Sequence, residues 1–267
     1  MADKADAAPV VTRLSCRTER VSSVESARGS PGFDLRQSDL ALCGVNSNDG
    51  DMSIRSAVDN ISPSQGISYV KVYFDLEKPY AGSFFETLEM EKSPENVYTA
   101  SDFYALMCLE VDVPIGAGLS ILGEKAEEIS ELLSQIPNVS LRSLSKEEFE
   151  RYLGQDSPAM ELWRILKSYR NVGSTRASKL MARKRPHLIP IQDSVIRRVA
   201  EFPHKANDWL LWWEALTKDD ELECRADQLR EAVDRPDLST LRALDVMLWM
   251  SGSQKTNGLQ DEGSDDE

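Results

Sequence analysis

The chain has 267 residues, 41% of them hydrophobic, and carries 45 acidic against 31 basic side chains, for a net charge of −14. That length holds one or two domains and that apolar share can fill a core. The acid surplus excludes indiscriminate binding to nucleic acid, and no run approaches the roughly 18 apolar residues of a membrane helix.

Residues 1–66 contain a single aromatic, Phe33, and eleven serines. Such a segment buries too little apolar surface to offset its ordering entropy, so it reads as a disordered arm. No apolar stretch follows its first charges, as a secretory signal would require. Tyr69 to Leu76, YVKVYFDL, is rich in β-branched and aromatic residues and lies between Gly66 and Pro79, which predicts a strand. YAGSFFETL after it pairs with that strand or forms a loop. From Thr99 onward the pattern is helical. Thr99 and Ser101 are candidate caps for a helix over Asp102–Glu110. Gly118 or Ser120 opens one longer amphipathic run through Ile129, Leu133 and Ile136, ended by Pro137. Ser145 and Glu148 form a capping box, and Ser157-Pro158 places proline at a first helical position. Asn207-Asp208 caps a helix with Trp209, Trp212 and Trp213 on one face, which is either a base-stacking platform or core. Asp219–Val233 is another helix. Ser239–Met250 is apolar nearly all round and reads as buried, with Asp245 paired to an arginine such as Arg242. Residues 251–267 form a disordered acidic tail. The expected fold is therefore mainly α over residues 67–250, with a small N-terminal β element and a helical hairpin.

The centre of the chain is Asn171 to Val199. Between Arg164 and Arg198 stand ten Lys/Arg and one acid, Asp193, so this segment is +9 within an acidic protein. A concentrated basic segment points to a polyanion. Asn171-Val172-Gly173 is a tight turn between two helices, with positive φ expected at Gly173 and Asn171. The helix that starts at Ser174 and Thr175 presents free N–H groups, a phosphate-sized anion site, with Arg170, Arg176 and Lys179 around it. Arg183, Lys184 and Arg185 either reach phosphate or complement the helix C-terminus. Asp193 also has two readings. It caps its helix, with Arg197 at i+4 to neutralise it, or it supplies a carboxylate to a reaction. The four cysteines, Cys16, Cys43, Cys108 and Cys224, are too far apart for a zinc or iron–sulfur pattern. His187 and His204 have no ligand set. No metal or cofactor is expected, and a reduced cytoplasmic protein is the simplest setting.

NVGSTRASKLMARKRPHLIPIQDSVIRRV resembles the helix-hairpin-helix core of the DNA glycosylase superfamily. That core reads G-V-G-x-x-T-A, a helix, a proline, then P-V-D-T-H-x-x-R-V. Val172-Gly173 match the turn, Ala177 the small residue beneath it, Pro186 and Pro190 the prolines, and Asp193–Val199 the helix start that bears the family's aspartate. The resemblance implies a hairpin that grips the backbone of double-stranded DNA, and an Asp193 that stabilises positive charge on the sugar of a flipped nucleotide. Thr175 stands where bifunctional members carry a lysine nucleophile, which implies a monofunctional enzyme. Asn171 replaces the first glycine, Gln192 is inserted, and Val195 replaces a histidine. These departures leave a non-catalytic nucleic-acid-binding or protein-interaction module on the same frame as the alternative. A longer similarity, from YVKVYFDL through LRALDVMLWM to Met250, is to a bacterial domain family of unknown function and implies no activity.

Overall fold

The computed structural model describes residues 54–89 and 93–261, with side chains through 253. The arm expected over 1–66 lies outside the described residues as far as 53, and the tail expected over 251–267 does so from 262 on. Among the described residues are twelve α-helices and no strand. In chain order these are α1 Ile54–Asp59, α2 Pro63–Tyr73, α3 Ala100–Met107, α4 Ile115–Leu122, α5 Ala126–Gln135, α6 Lys146–Leu153, α7 Pro158–Ser168, α8 Ser174–Lys184, α9 Ser194–Val199, α10 Asp208–Lys218, α11 Asp220–Ala232 and α12 Thr240–Asp261. None is long and apolar enough to cross a membrane.

Local chemistry starts most of these helices. Thr99 and Asp102 form a capping box on α3, and Ser145 and Glu148 form one on α6. Ser157, followed by Pro158, accepts from the Met160 N–H on α7, and Asn207 caps α10. The same signal, Ser62 followed by Pro63, starts α2. It corrects the strand expected at Tyr69–Leu76, since Tyr69 to Tyr73 are helical. Gly66, Tyr69, Val70 and Tyr73 bury one face at i, i+3, i+4 and i+7, so tertiary packing overrides the β propensity of the individual side chains. The segment after α2 contains a 3-10 turn, Ala81–Phe84.

Two boundaries also move. Ile54, Ala57 and Val58 of α1 are buried in the core, so packing begins before the boundary expected at residue 67. At the other end α12 continues to Asp261, into the region expected to be disordered from 251. The long amphipathic helix expected before Pro137 is two helices, because the chain breaks at Gly123, the C-cap of α4.

The core is organised around α12. Ala243, Leu244, Val246, Met247 and Leu248 are at most 1% exposed, and the helix packs on α1, α2, α9 and α11. Trp209 and Trp212 are buried. Trp213 lies against Phe149 and donates to the Leu144 carbonyl at 3.0 Å. The three tryptophans of α10 are core side chains, not a stacking platform.

Candidate functional site

Helices α7 and α8 meet at the turn Tyr169–Gly173. Val172 is buried and its N–H donates to the Tyr169 carbonyl at 3.1 Å. Asn171 alone carries the left-handed backbone, at φ 67°. Gly173, expected to share it, has extended backbone at φ −87°. A β-carbon at Gly173 would meet nothing within 4 Å, so neither backbone conformation nor packing within the chain demands glycine there. Ser174 to Arg176 form the first turn of α8, and no side chain caps it. Arg176 binds the Asp112 carbonyl at 2.7 Å, the Asp112 carboxylate at 2.8 Å and the Asn171 carbonyl at 3.2 Å. That pairing holds the Asp112 carboxyl below its usual range. Lys167 lies 5.4 Å over the Trp163 ring and donates to the Ser174 hydroxyl at 3.3 Å. Arg170 is exposed. Asp112, Pro114, Lys167, Tyr169, Asn171, Val172, Gly173 and Arg176 line a shallow open groove.

The rest of the basic run faces inward, which corrects the expectation that it contacts phosphate. Arg183, Lys184 and Arg185 are 1%, 6% and 1% exposed. Arg183 bonds Asp102 at 3.1 Å and the carbonyls of Phe85 and Leu88. Lys184 bonds Asp102 and Ser93, each at 2.6 Å. Arg185 reaches the carbonyls of Ile136, Leu133 and Glu95 and the side chain of Asn96. Each cation ties the end of α8 to residues within Phe85–Leu88 or Ser93–Asn96. Several of their donors satisfy carbonyls that burial would leave unpaired.

Asp193 caps α9, with Oδ1 accepting from the Val195 N–H at 2.8 Å. The inserted Gln192 is held through its N–H by Ser178 Oγ at 2.9 Å, an anchor that the sequence does not single out. Arg197, the expected partner of Asp193, instead pairs with Asp208. The cation beside Asp193 is Lys179, with Nζ 3.8 Å from Oδ2. Lys179 is buried and donates to the Leu109 carbonyl at 2.9 Å. Burial pulls its ammonium below the usual lysine range, against the opposing charges of Asp193 and Asp245.

Asp193, Lys179 and Thr175 open onto a cavity of about 350 Å³. Tyr73, Tyr80 and Trp249 line the same cavity. The two tyrosine rings stack at 5.4 Å, and Trp249 meets Tyr80 edge-on at 6.1 Å. Tyr73 is sealed in, and burial pushes its phenol up to about 12; Tyr80 is 42% exposed. At the inner end Arg242 pairs with Glu86 at 2.5 Å and Asp245 at 2.6 Å. It also donates to the Tyr73 hydroxyl at 2.8 Å and the Gly82 carbonyl at 3.0 Å. The Arg242–Asp245 pair agrees with the sequence reading. The aromatic wall is not among the expected site residues. Tyr73 and Tyr80 fall in the segment expected to be β or loop, and Trp249 in the helix expected to be core. The available signal is Asp245 and Trp249 at i, i+4 on an apolar helix.

Groove and cavity draw on consecutive residues of the chain. Thr175 and Val111 line the cavity, and their chain neighbours Arg176 and Asp112 line the groove. Among the described residues no group of three or more acidic, cysteine or histidine side chains is placed to hold a metal.

Residues 66–252 match the model of a family of unknown function (DUF6308). No curated protein matches the chain, and no solved structure does.

Proposed function

We propose a function from the chemistry of the cleft, for a chain that belongs to DUF6308, a family whose own function is not known. The protein binds nucleic acid through the α7–α8 turn and admits one extruded nucleoside to the cavity, where Asp193 assists cleavage of its N-glycosidic bond. The resemblance of Asn171–Val199 to the helix-hairpin-helix core of DNA glycosylases is consistent with this. The observation that carries the reading is the union of three features in one cavity: a carboxylate, a set of aromatic side chains and Thr175 from the first turn of α8.

Each feature matches one requirement of the reaction. A base that leaves its stack is held by stacking on other π faces, which Tyr80 and Trp249 offer. Loss of the base leaves positive charge on the sugar, and a fixed carboxylate stabilises that charge or orients the attacking water. The backbone N–H of Val195 and the adjacent Lys179 fix Asp193. The free N–H groups of the first turn of α8 favour an anion, and Gly173 leaves room for a phosphate to approach. Thr175 has no amine and cannot form a Schiff base, so the cleavage is monofunctional.

Lys167 and Arg170 are the cations left to face phosphate at the turn. Lys167→Ala with Arg170→Ala is expected to weaken binding to a short duplex equally for all sequences. It should also flatten the dependence on salt, by roughly 0.9 in log–log slope for each phosphate no longer neutralised. Unchanged affinity and slope would refute the turn as the phosphate site. A second reading, a binding module without turnover, is favoured by the burial of Arg183, Lys184 and Arg185, which leaves the turn with few cations. It predicts duplex binding without abasic sites.

A further inference from the structure

Lys179, Asp193, Arg242 and Asp245, from separate parts of the chain, line the cleft, and Glu86 adjoins them through Arg242. Asp193 and Lys179 lie 3.8 Å apart, and Arg242 is shared by Asp245 and Glu86. Three carboxylates thus face two cations. The other charged groups nearby do not alter this balance. Glu110 is exposed at the mouth, Arg235 pairs with Asp237 at 2.7 Å, Arg183 pairs with Asp102, and Arg198 turns to the Gly252 carbonyl. A surplus carboxylate in a water-poor site is relieved by one proton.

The environments indicate which carboxylate holds it. Asp193 accepts from a backbone N–H and its side chain is 17% exposed. Glu86 meets Arg242 at 2.5 Å. Asp245 is 7% exposed and shares its only arginine with Glu86. Burial lifts the Asp245 carboxyl to about 6, Arg242 opposes the rise and the charge of Asp193 adds to it. Two carboxyls in one cleft, one bonded to a backbone N–H and the other raised by burial, divide naturally into charge stabiliser and acid.

We propose that Asp245 is a second catalytic residue, a neutral acid that gives its proton to the departing base while Asp193 stabilises the sugar. This rests on the glycosidic reading of the cleft. The C1′–N bond breaks with its electron pair going to the base, and a ring nitrogen of the base takes the proton from Asp245. Water adds to C1′ and loses a proton to Asp193. The products are a free base and an abasic hemiacetal, and water is the only co-reactant. Arg242 holds Asp245 as a carboxylate until solvent returns its proton, and Asp193 releases its own to solvent.

The test is single-turnover abasic-site formation between pH 5 and 8, on duplexes that carry a panel of damaged bases. In the wild type the rate is expected to fall about tenfold per pH unit above about 6, as the acid is lost. Asp245→Asn keeps the shape and a hydrogen-bonding oxygen for Arg242. It is expected to melt like the wild type, to react about 100-fold more slowly at pH 5.5, within the usual range for one general acid, and to show no fall above pH 6. An unchanged rate and profile in Asp245→Asn overturns the assignment and leaves the glycosidic reading standing. A wild-type rate that is flat from pH 5 to 8 overturns it equally, whether or not the variant folds. If the wild type makes no abasic sites at any pH, the glycosidic reading fails and takes this role with it.

Discussion

Arg183→Ala is expected to destabilise the protein by about 3–5 kcal/mol, the cost of breaking a buried ion pair from one side. The Arg183 side chain is 0% exposed and pairs with Asp102, also 0% exposed. Its other donors hold the carbonyls of Phe85 and Leu88. Truncation leaves those carbonyls unpaired inside the fold and leaves Asp102 to Lys184, Ser93 and Thr99. A small domain has about 5–15 kcal/mol in all, so the variant should unfold at a much lower urea concentration or not accumulate. Arg183→Lys should restore little, because a single ammonium cannot replace a fork that reaches three acceptors. An exposed phosphate-binding arginine would behave differently, since its removal typically shifts stability by less than about 0.5 kcal/mol. Urea midpoints therefore separate the two roles.

The same cluster sets a limit at low pH. Burial alone would raise the Asp102 carboxyl, but Lys184, the Thr99 N–H and Arg183 outweigh it and hold the carboxyl below its usual range. A carboxyl depressed on folding stabilises the protein above its unfolded pKa of about 3.9, and that contribution is lost as pH falls through the lower folded value. Acid unfolding should draw on this cluster below about pH 4.

Asp193→Asn is expected to leave the fold and duplex binding intact and to reduce abasic-site formation by at least about 10²–10³-fold. Asparagine caps helices as well as aspartate does, so the bond from the Val195 N–H survives and α9 starts in the same place. What disappears is the negative charge next to the sugar, and loss of one preorganised electrostatic partner costs about that factor. Capping alone predicts no change in turnover. A variant that binds and melts like the wild type but no longer reacts separates chemistry from structure at this residue.

Helix starts are largely legible in the sequence, because a cap and its partner lie within three residues of each other. Thr99, Ser145, Ser157 and Asn207 all act as read. The Ser62-Pro63 start is equally local, but the aromatic and β-branched residues that follow mask it. The turn and the place of Asp193 at a helix start are also legible. The fate of Arg183, Lys184 and Arg185 is not. A run of charges looks solvated until its partners are known, and those of Arg183 and Lys184, which include Phe85, Leu88, Ser93 and Asp102, lie more than 80 residues earlier. The cavity is illegible for the same reason. Tyr73, Tyr80, Asp193 and Trp249 converge only because α2 and α9 both pack on α12.

A base that leaves its duplex is expected to enter the cavity lined by Tyr80, Trp249 and Asp193. A duplex with one 5-iodouracil in a mismatch, irradiated in complex with the full chain and digested, reports where that base sits. Crosslinks are expected on Tyr80 or Trp249, and they should disappear when the same base is in single-stranded form too short to engage the α7–α8 turn. Crosslinks confined to other surfaces, with the duplex bound, would contradict it.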